Sequence, residues 1–246
     1  MAKSFPSPWS LLRDGFRLAL RHPWITLGIC LLGTALGGLA PLLMLRGGLG
    51  DNPVIESLLF FIALMPLDFY FLPRLALRLD AEVLGHPKNP MDGWEEAFEA
   101  RWLGAFGAKV LLGVAAGLGI LIFILPGLMV LFLFGWAPTR VLLRGESLRE
   151  ACLGSLELMR YLWPLAVSRA LLVLVVGMAL LGSAQYAIEA IHPLAGPQSE
   201  LLSPFFWCEQ FLGSMVSVWT TASLLVLYQE LESFPGGMSS RSSSEK

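Results

Sequence analysis

One carboxylate inside a long apolar segment is the strongest candidate for chemistry in this sequence. Asp68 lies in the apolar segment 58–77, ten residues before Arg78. At a rise of about 1.5 Å per residue, that separation is about 15 Å along a helix. A carboxylate at such depth in a bilayer costs about 2.5–3.5 kcal/mol unless it is paired, protonated or hydrated. The basic residues that could approach it from apolar segments are Arg74, Lys109 and Arg169.

Two interpretations of these four residues remain open. In the structural one, Asp68 forms a buried ion pair, or stays neutral while the basic side chains extend to the headgroups. In the functional one, Asp68 belongs to a proton- or ion-linked site of a small transporter or channel. Pro66 and Pro73 bracket Asp68 and loosen its helix, and broken helices line many transport sites. The structural interpretation is favoured, because a single acid does not make a relay.

Other chemistry finds little support. Glu56, Glu189, His192 and Glu209 fall near the ends of apolar segments, but none has a metal-ligand spacing such as HxxxH. The three cysteines are far apart and form no CxxC pair. No Ser/His/Asp set can be argued from the three histidines. The sequence therefore predicts a protein that is not an enzyme and has no metal or cofactor.

Composition indicates a membrane protein. Among 246 residues, 55% are hydrophobic and 15% are charged, whereas soluble domains carry about 25% charged residues. The net charge of -2 gives no case for nucleic-acid binding. Residues 110–139 carry no charge at all, and that run is too long for one crossing of about 20 residues. A turn at Pro126-Gly127 would divide the run into a hairpin of two crossings.

The apolar segments predict an all-α polytopic fold with six transmembrane helices in a single domain, residues 1–232. The predicted crossings are 24–45, 58–77, 102–125, 127–143, 163–188 and 205–227. With the N-terminus in the cytoplasm, every one of the 17 basic residues except Arg46 lies on the cytoplasmic side. The positive-inside rule therefore predicts an inner-membrane protein with both termini in the cytoplasm. The polar tail 233–246 is predicted to be disordered.

Amphipathic stretches precede the first, third and fifth crossings. They cover residues 9–20, 94–102 and 148–162, each with apolar side chains at steps of three and four. On the cytoplasmic face such helices should lie in the plane of the membrane interface. Ser147 and Glu150 have the spacing of a capping box at the start of the third. The recurring order of interfacial helix and two crossings is either a three-fold internal repeat or a chance pattern.

The stretch 124–164 resembles the signature of a bacterial membrane family. That family includes the membrane domain attached to glycerophosphodiester phosphodiesterases and related inner-membrane proteins. The resemblance rests on Pro126, Gly127, Pro138, Ala151, Ser155 and Leu158. It implies a six-helix membrane domain and not phosphodiesterase activity, because that activity belongs to a separate soluble barrel. Arg144 stands where the family often has a Glu, so no role of that carboxylate carries over.

These observations together predict a membrane scaffold or envelope-maintenance protein without enzymatic activity. Its expected partners are the lipid bilayer and either another membrane protein or a second copy of this chain, with no nucleic acid. The alternative is the transporter or channel that works through the Pro-broken second segment around Asp68.

Overall fold

Every regular element that the structure describes is a helix. The computed structural model describes residues 7–47, 53–83, 92–191 and 204–233. The all-α prediction is confirmed over these ranges. The helices are α1 (Pro8–Ala19), α2 (Pro23–Gly47), α3 (Pro53–Pro66), a π-helical turn (Leu67–Phe71), α4 (Leu72–Val83), α5 (Asp92–Ile122), α6 (Ile124–Phe134), α7 (Ala137–Arg144), α8 (Leu148–Ile191) and α9 (Pro204–Glu232).

Several of these helices are long and apolar enough to cross a bilayer. Four segments of the described chain meet that test: Glu95–Ile122, Ile124–Arg144, Leu162–Ile188 and Phe206–Glu232. They match the last four predicted crossings. Helix α1 and the first part of α2 form a fifth candidate that is bent by 89°. Membrane-length helices are thus confirmed, whereas the number of six crossings stays a prediction.

The chain divides into two compact units. Unit one contains the described residues 7–11, 73–83, 92–171 and 224–233, and unit two contains 12–47, 53–72, 172–191 and 204–223. Helices α1, α8 and α9 each contribute residues to both units. The single domain 1–232 stays a prediction, and the predicted disordered tail lies outside the described residues.

The predicted hairpin is present in unit one, but its turn is not at the Pro-Gly pair. Helix α5 ends at Ile122, and Phe123 is extended, with φ -155° and ψ 136°. Pro126 lies in the first turn of α6, where its missing N–H is tolerated. Gly127 serves close packing instead: a Cβ there would lie 2.6 Å from the carbonyl oxygen of Ala116.

The second arm of the hairpin is interrupted near its end. Helix α6 ends at Phe134 and α7 begins at Ala137, with Pro138 in its first turn. The sequence placed Pro138 near the end of one continuous crossing, so this break was not predicted. Helix α7 ends at Gly145, whose φ of 69° is the left-handed conformation that glycine adopts without strain.

Only the first of the three amphipathic stretches is a separate helix. The stretches 94–102 and 148–162 are the beginnings of the continuous helices α5 and α8. The expectation of three separate interfacial helices is therefore wrong for these two. Amphipathic and fully apolar sequences both favour a helix, so the helix continues from one into the other, in α8 even across Pro164.

Candidate functional site

The largest fully buried side chain that the structure describes is an arginine. Arg140 lies on α7 in unit one and is 2% exposed. The left-handed turn at Gly145 brings Glu146 back toward it. The guanidinium donates from Nε to Glu146 Oε2 at 2.8 Å and from Nη2 to Oε1 at 2.6 Å. This bidentate geometry is the strongest form of an Arg–carboxylate contact.

The last turn of α9 completes the surroundings of Arg140. Glu232 accepts a hydrogen bond from Arg140 Nη1 at 3.5 Å and others from Arg144 and from the Tyr228 hydroxyl. We refer to Arg140, Arg144, Glu146, Tyr228 and Glu232 as the Arg140 cluster. It contains two guanidiniums and two carboxylates, so its formal charge is balanced.

Two packing contacts hold the Arg140 cluster in place. The Trp136 ring lies against Tyr228, with ring centroids 5.6 Å apart. On the other side α8 passes so close that a Cβ on Gly154 would lie 2.6 Å from Arg140 Cζ. The guanidinium therefore occupies space that only a glycine at position 154 leaves open.

The same turn of α9 makes two more polar contacts within unit one. Glu230 accepts a hydrogen bond from Arg169 Nη1 at 3.0 Å, and Arg169 is itself buried. Gln229 donates from Nε2 to Asp80 Oδ1 at 2.8 Å. The four polar side chains at 228–230 and 232 thus connect α9 to α4, α7 and α8.

The four residues predicted to form an intramembrane site are divided between the two units. Asp68 lies in the π-helical turn of unit two and is exposed. Arg74, Lys109 and Arg169 belong to unit one, where Lys109 is exposed on α5. Arg74 donates to Glu95 at 2.6 Å and Arg169 donates to Glu230 at 3.0 Å, so each of these two arginines has a carboxylate partner within its own unit. A pairing of Asp68 with these residues stays a prediction.

Two of the residues on which the proposed resemblance rests occupy packing positions on α8. Ser155 is fully buried and donates from Oγ to the carbonyl oxygen of Leu133 on α6 at 2.8 Å. Ala151 is fully buried as well. A small side chain suits both positions, because larger ones would separate closely packed helices.

The capping box predicted at Ser147 and Glu150 is present. Glu150 Oε2 accepts from the backbone N–H of Ser147 at 3.0 Å and from its hydroxyl at 2.7 Å. These hydrogen bonds favour the ionised carboxyl, the hydroxyl most strongly, and they lower the pKa of Glu150 below its usual value. The box fixes the start of α8.

Sequence reasoning did not single out the Arg140 cluster as a site. A usable signal existed: Glu230 and Glu232 end one apolar helix, while Arg140 and Arg169 lie in other apolar segments. Unlike charges at matching depths of different membrane helices pair with one another. The α6–α7 break and the turn at Gly145, neither of which was predicted, decide which carboxylate reaches Arg140.

The described residues include no convergent set of reactive groups. No three His, Cys, Asp or Glu side chains gather to hold a metal ion within the described ranges. Of the four residues considered above as metal ligands, Glu209 accepts from Gln185 Nε2 at 2.7 Å. The side chains of Glu56 and Glu189 and all of His192 lie outside the described residues. Burial raises the pKa of Cys152 and makes it a poor nucleophile.

Comparison with known proteins gives no match: no family model, no curated protein and no solved structure is significantly similar to this chain. The resemblance to the phosphodiesterase membrane domain therefore stays a prediction.

Proposed function

We propose that this chain is a polytopic bacterial inner-membrane protein that acts without catalysis, as a scaffold or in maintenance of the cell envelope. Both termini lie in the cytoplasm in this proposal, as the distribution of basic residues predicts. The observation that carries the proposal is the surface of α1, which suits the boundary between headgroups and hydrocarbon.

Helix α1 has two apolar faces, and the described part of the chain covers only one of them. Leu11 and Leu18 are buried, and Gly15 approaches α9 so closely that a Cβ would lie 2.8 Å from Ser223 Cα. The other face is exposed: Trp9 is 76% exposed, and Phe16 and Leu20 are exposed as well. An exposed apolar strip of this kind marks a surface for lipid or for a protein partner.

Charge next to this strip favours lipid. Arg13 and Arg17 follow Trp9 and Phe16 around the helix, and both guanidiniums are exposed beside Asp14. Helix α2 leaves α1 at 89°. A helix with an apolar strip and a basic edge, joined at a right angle to an apolar helix, fits the membrane interface.

The Arg140 cluster supports a static role. Its carboxylates and guanidiniums bond to each other inside unit one, and this arrangement leaves the cluster balanced in charge. Such a network holds helices together, whereas a catalytic site needs groups directed at a substrate.

The experiment is complementation of bacteria that lack the protein. We expect the wild-type chain to restore resistance of the envelope to detergent, and the double variant Phe16→Ser/Leu20→Ser to restore it poorly. Leu153→Ser is the control, because it also replaces an exposed leucine by serine, but on α8 and outside the α1 surface. Full rescue by the double variant, at equal amounts in the membrane, would refute a role for the α1 strip.

A transporter or channel is the second candidate, and one observation favours it. Asp68 lies in a π-helical turn between Pro66 and Pro73, where the N–H of Leu72 bonds to the carbonyl of Leu67 instead of Asp68. Interruptions of this kind occur often at functional sites. Proteoliposomes with wild type and Asp68→Asn distinguish the candidates. Solute flux that the variant abolishes, together with loss of complementation by folded Asp68→Asn, would establish transport.

A further inference from the structure

The turn between α5 and α6 exposes an unbroken apolar surface. Its five residues, Leu121–Leu125, are each 68–83% exposed. We call this segment the hairpin tip. It contains no polar side chain, and no charge occurs anywhere from Val110 to Thr139. A turn that emerged into water on the far side of a membrane would leave this surface in contact with water.

Close contacts fix how the two arms of the hairpin pair. Near the tip, a Cβ on Gly119 would lie 2.7 Å from Gly127 N. Near the base, Arg101 Nη1 donates to the carbonyl oxygen of Leu143 at 3.0 Å. The two arms are therefore antiparallel and keep one register along their length. In this register Lys109 lies about level with Trp136.

The reach of the hairpin is shorter than a bilayer is thick. Phe123 is fourteen residues beyond Lys109, the last charge on the first arm, which is about 21 Å of helix. The hydrocarbon core is about 30 Å thick. If Lys109 lies at the level of the headgroups, the hairpin tip ends about 9 Å before the opposite boundary of the hydrocarbon core.

The turn itself suits an apolar medium. Only Phe123 between α5 and α6 is non-helical, and its N–H bonds to the carbonyl oxygen of Gly119 at 2.9 Å. Pro126 has no N–H, so the start of α6 has one donor fewer to satisfy. A short turn with few open backbone groups limits the cost of placing it in hydrocarbon.

We propose that the α5–α6 hairpin is re-entrant: it enters and leaves by one face, and its tip contacts lipid acyl chains. The inference rests on the membrane insertion proposed above. It replaces the third and fourth predicted crossings with one embedded wedge and keeps Lys109 and Arg140 on the same face. The distribution of basic residues is identical for the two topologies and cannot separate them.

Single cysteines in a background with Cys30, Cys152 and Cys208 changed to Ala test the proposal. Phe123→Cys places a thiol at the hairpin tip, and Arg149→Cys places one on the exposed start of α8 as the accessible control. In proteoliposomes, a membrane-impermeant maleimide should label Arg149→Cys and leave Phe123→Cys unlabelled from either side. After denaturation in SDS both should react, which shows that the thiol is intact.

Depth is measured on the same protein with a bimane at position 123. We expect nitroxides near the end of the acyl chain to quench it at least twice as strongly as headgroup nitroxides. Labelling from the side opposite Arg149, or stronger quenching at the headgroup, would overturn the re-entrant hairpin and favour two complete crossings. Leu121→Cys repeats the test if Phe123→Cys does not fold. Wild-type protein that fails to float with liposomes would instead refute membrane insertion itself.

Discussion

Arg140 shows what a buried charge requires. A guanidinium taken out of water loses hydration worth several kcal/mol, so it persists only where its donors find good acceptors. Glu146 binds it through two nitrogens, and Glu232 contacts the third. The gain is specific positioning of α7 and α9 more than raw stability, because apolar residues of equal volume often stabilise as much.

Arg140→Leu should lower the free energy of unfolding by about 3 kcal/mol, in the range for breaking a buried ion network by removing one partner. Glu146 would lose two charge-assisted hydrogen bonds and Glu232 would lose one. The measurement is reversible unfolding of the purified protein in mixed micelles.

Arg13→Leu is the control for that variant. Arg13 forms an ion pair with Asp14 at 3.3 Å, but its side chain is mostly exposed. Its loss should change stability by less than about 1 kcal/mol. Equal effects of the two variants would show that the Arg140 cluster contributes no more than a surface pair.

At the scale of elements, the start of α8 is set by a local signal. The capping box satisfies the backbone N–H groups that the first helical turn leaves open. Because hydrogen bonds from Ser147 lower the pKa of Glu150 in the folded state, the ionised carboxylate stabilises the fold. This contribution is present above the pKa of an unfolded Glu and is lost as the pH falls through the folded value.

Glu150→Gln should therefore destabilise the protein slightly at pH 7 and have less effect at pH 3.5. Gln preserves the hydrogen bonds of the box and removes only the charge. Thermal unfolding of both proteins across this pH range measures the difference. A difference in melting temperature between wild type and variant that stays constant down to pH 3.5 would contradict the stabilising role of the Glu150 charge.

The α5–α6 hairpin depends on one close approach of two backbones. Gly127→Ala would put a Cβ 2.5 Å from the backbone nitrogen of Ile120, which a side-chain adjustment cannot relieve. The arms must separate, so we expect a loss of about 1–3 kcal/mol. Gly117→Ala is the matched control: nothing lies within 4 Å of a Cβ there.

The control should be neutral or stabilise the protein by up to about 1 kcal/mol, because Ala favours a helix more than Gly does. Melting temperatures in one detergent compare the two variants. A Gly127→Ala protein as stable as Gly117→Ala would show that the arms do not need this contact.

Across the whole molecule, structural features that depend on residues close together in sequence were predicted, whereas contacts between residues far apart in sequence were not. Apolar runs and capping spacing are local, so the last four membrane-length helices and the Ser147–Glu150 box were predictable. The pairing of Arg140 with Glu232 joins residues 92 positions apart, and no local pattern contains it.

Other differences have particular physical causes. The hairpin turns at Phe123 because Gly127 is needed for packing and Pro126 is tolerated inside a first helical turn. The stretches 94–102 and 148–162 join the helices that follow because helix propensity does not distinguish an amphipathic from an apolar sequence. Asp68 was singled out because it lies far inside an apolar segment of the sequence. The π-helical turn around Asp68 was not predicted, since this turn arises from how the backbone adapts between two prolines.

The last turn of α9 has a consequence for biosynthesis. Glu230 and Glu232 leave the ribosome after every arginine that they contact. Unit one can therefore form these ion pairs only when translation of α9 is finished. Until then, the helices made earlier lack these contacts. Unit one therefore gains its full set of ionic contacts only after Glu232 has been synthesised.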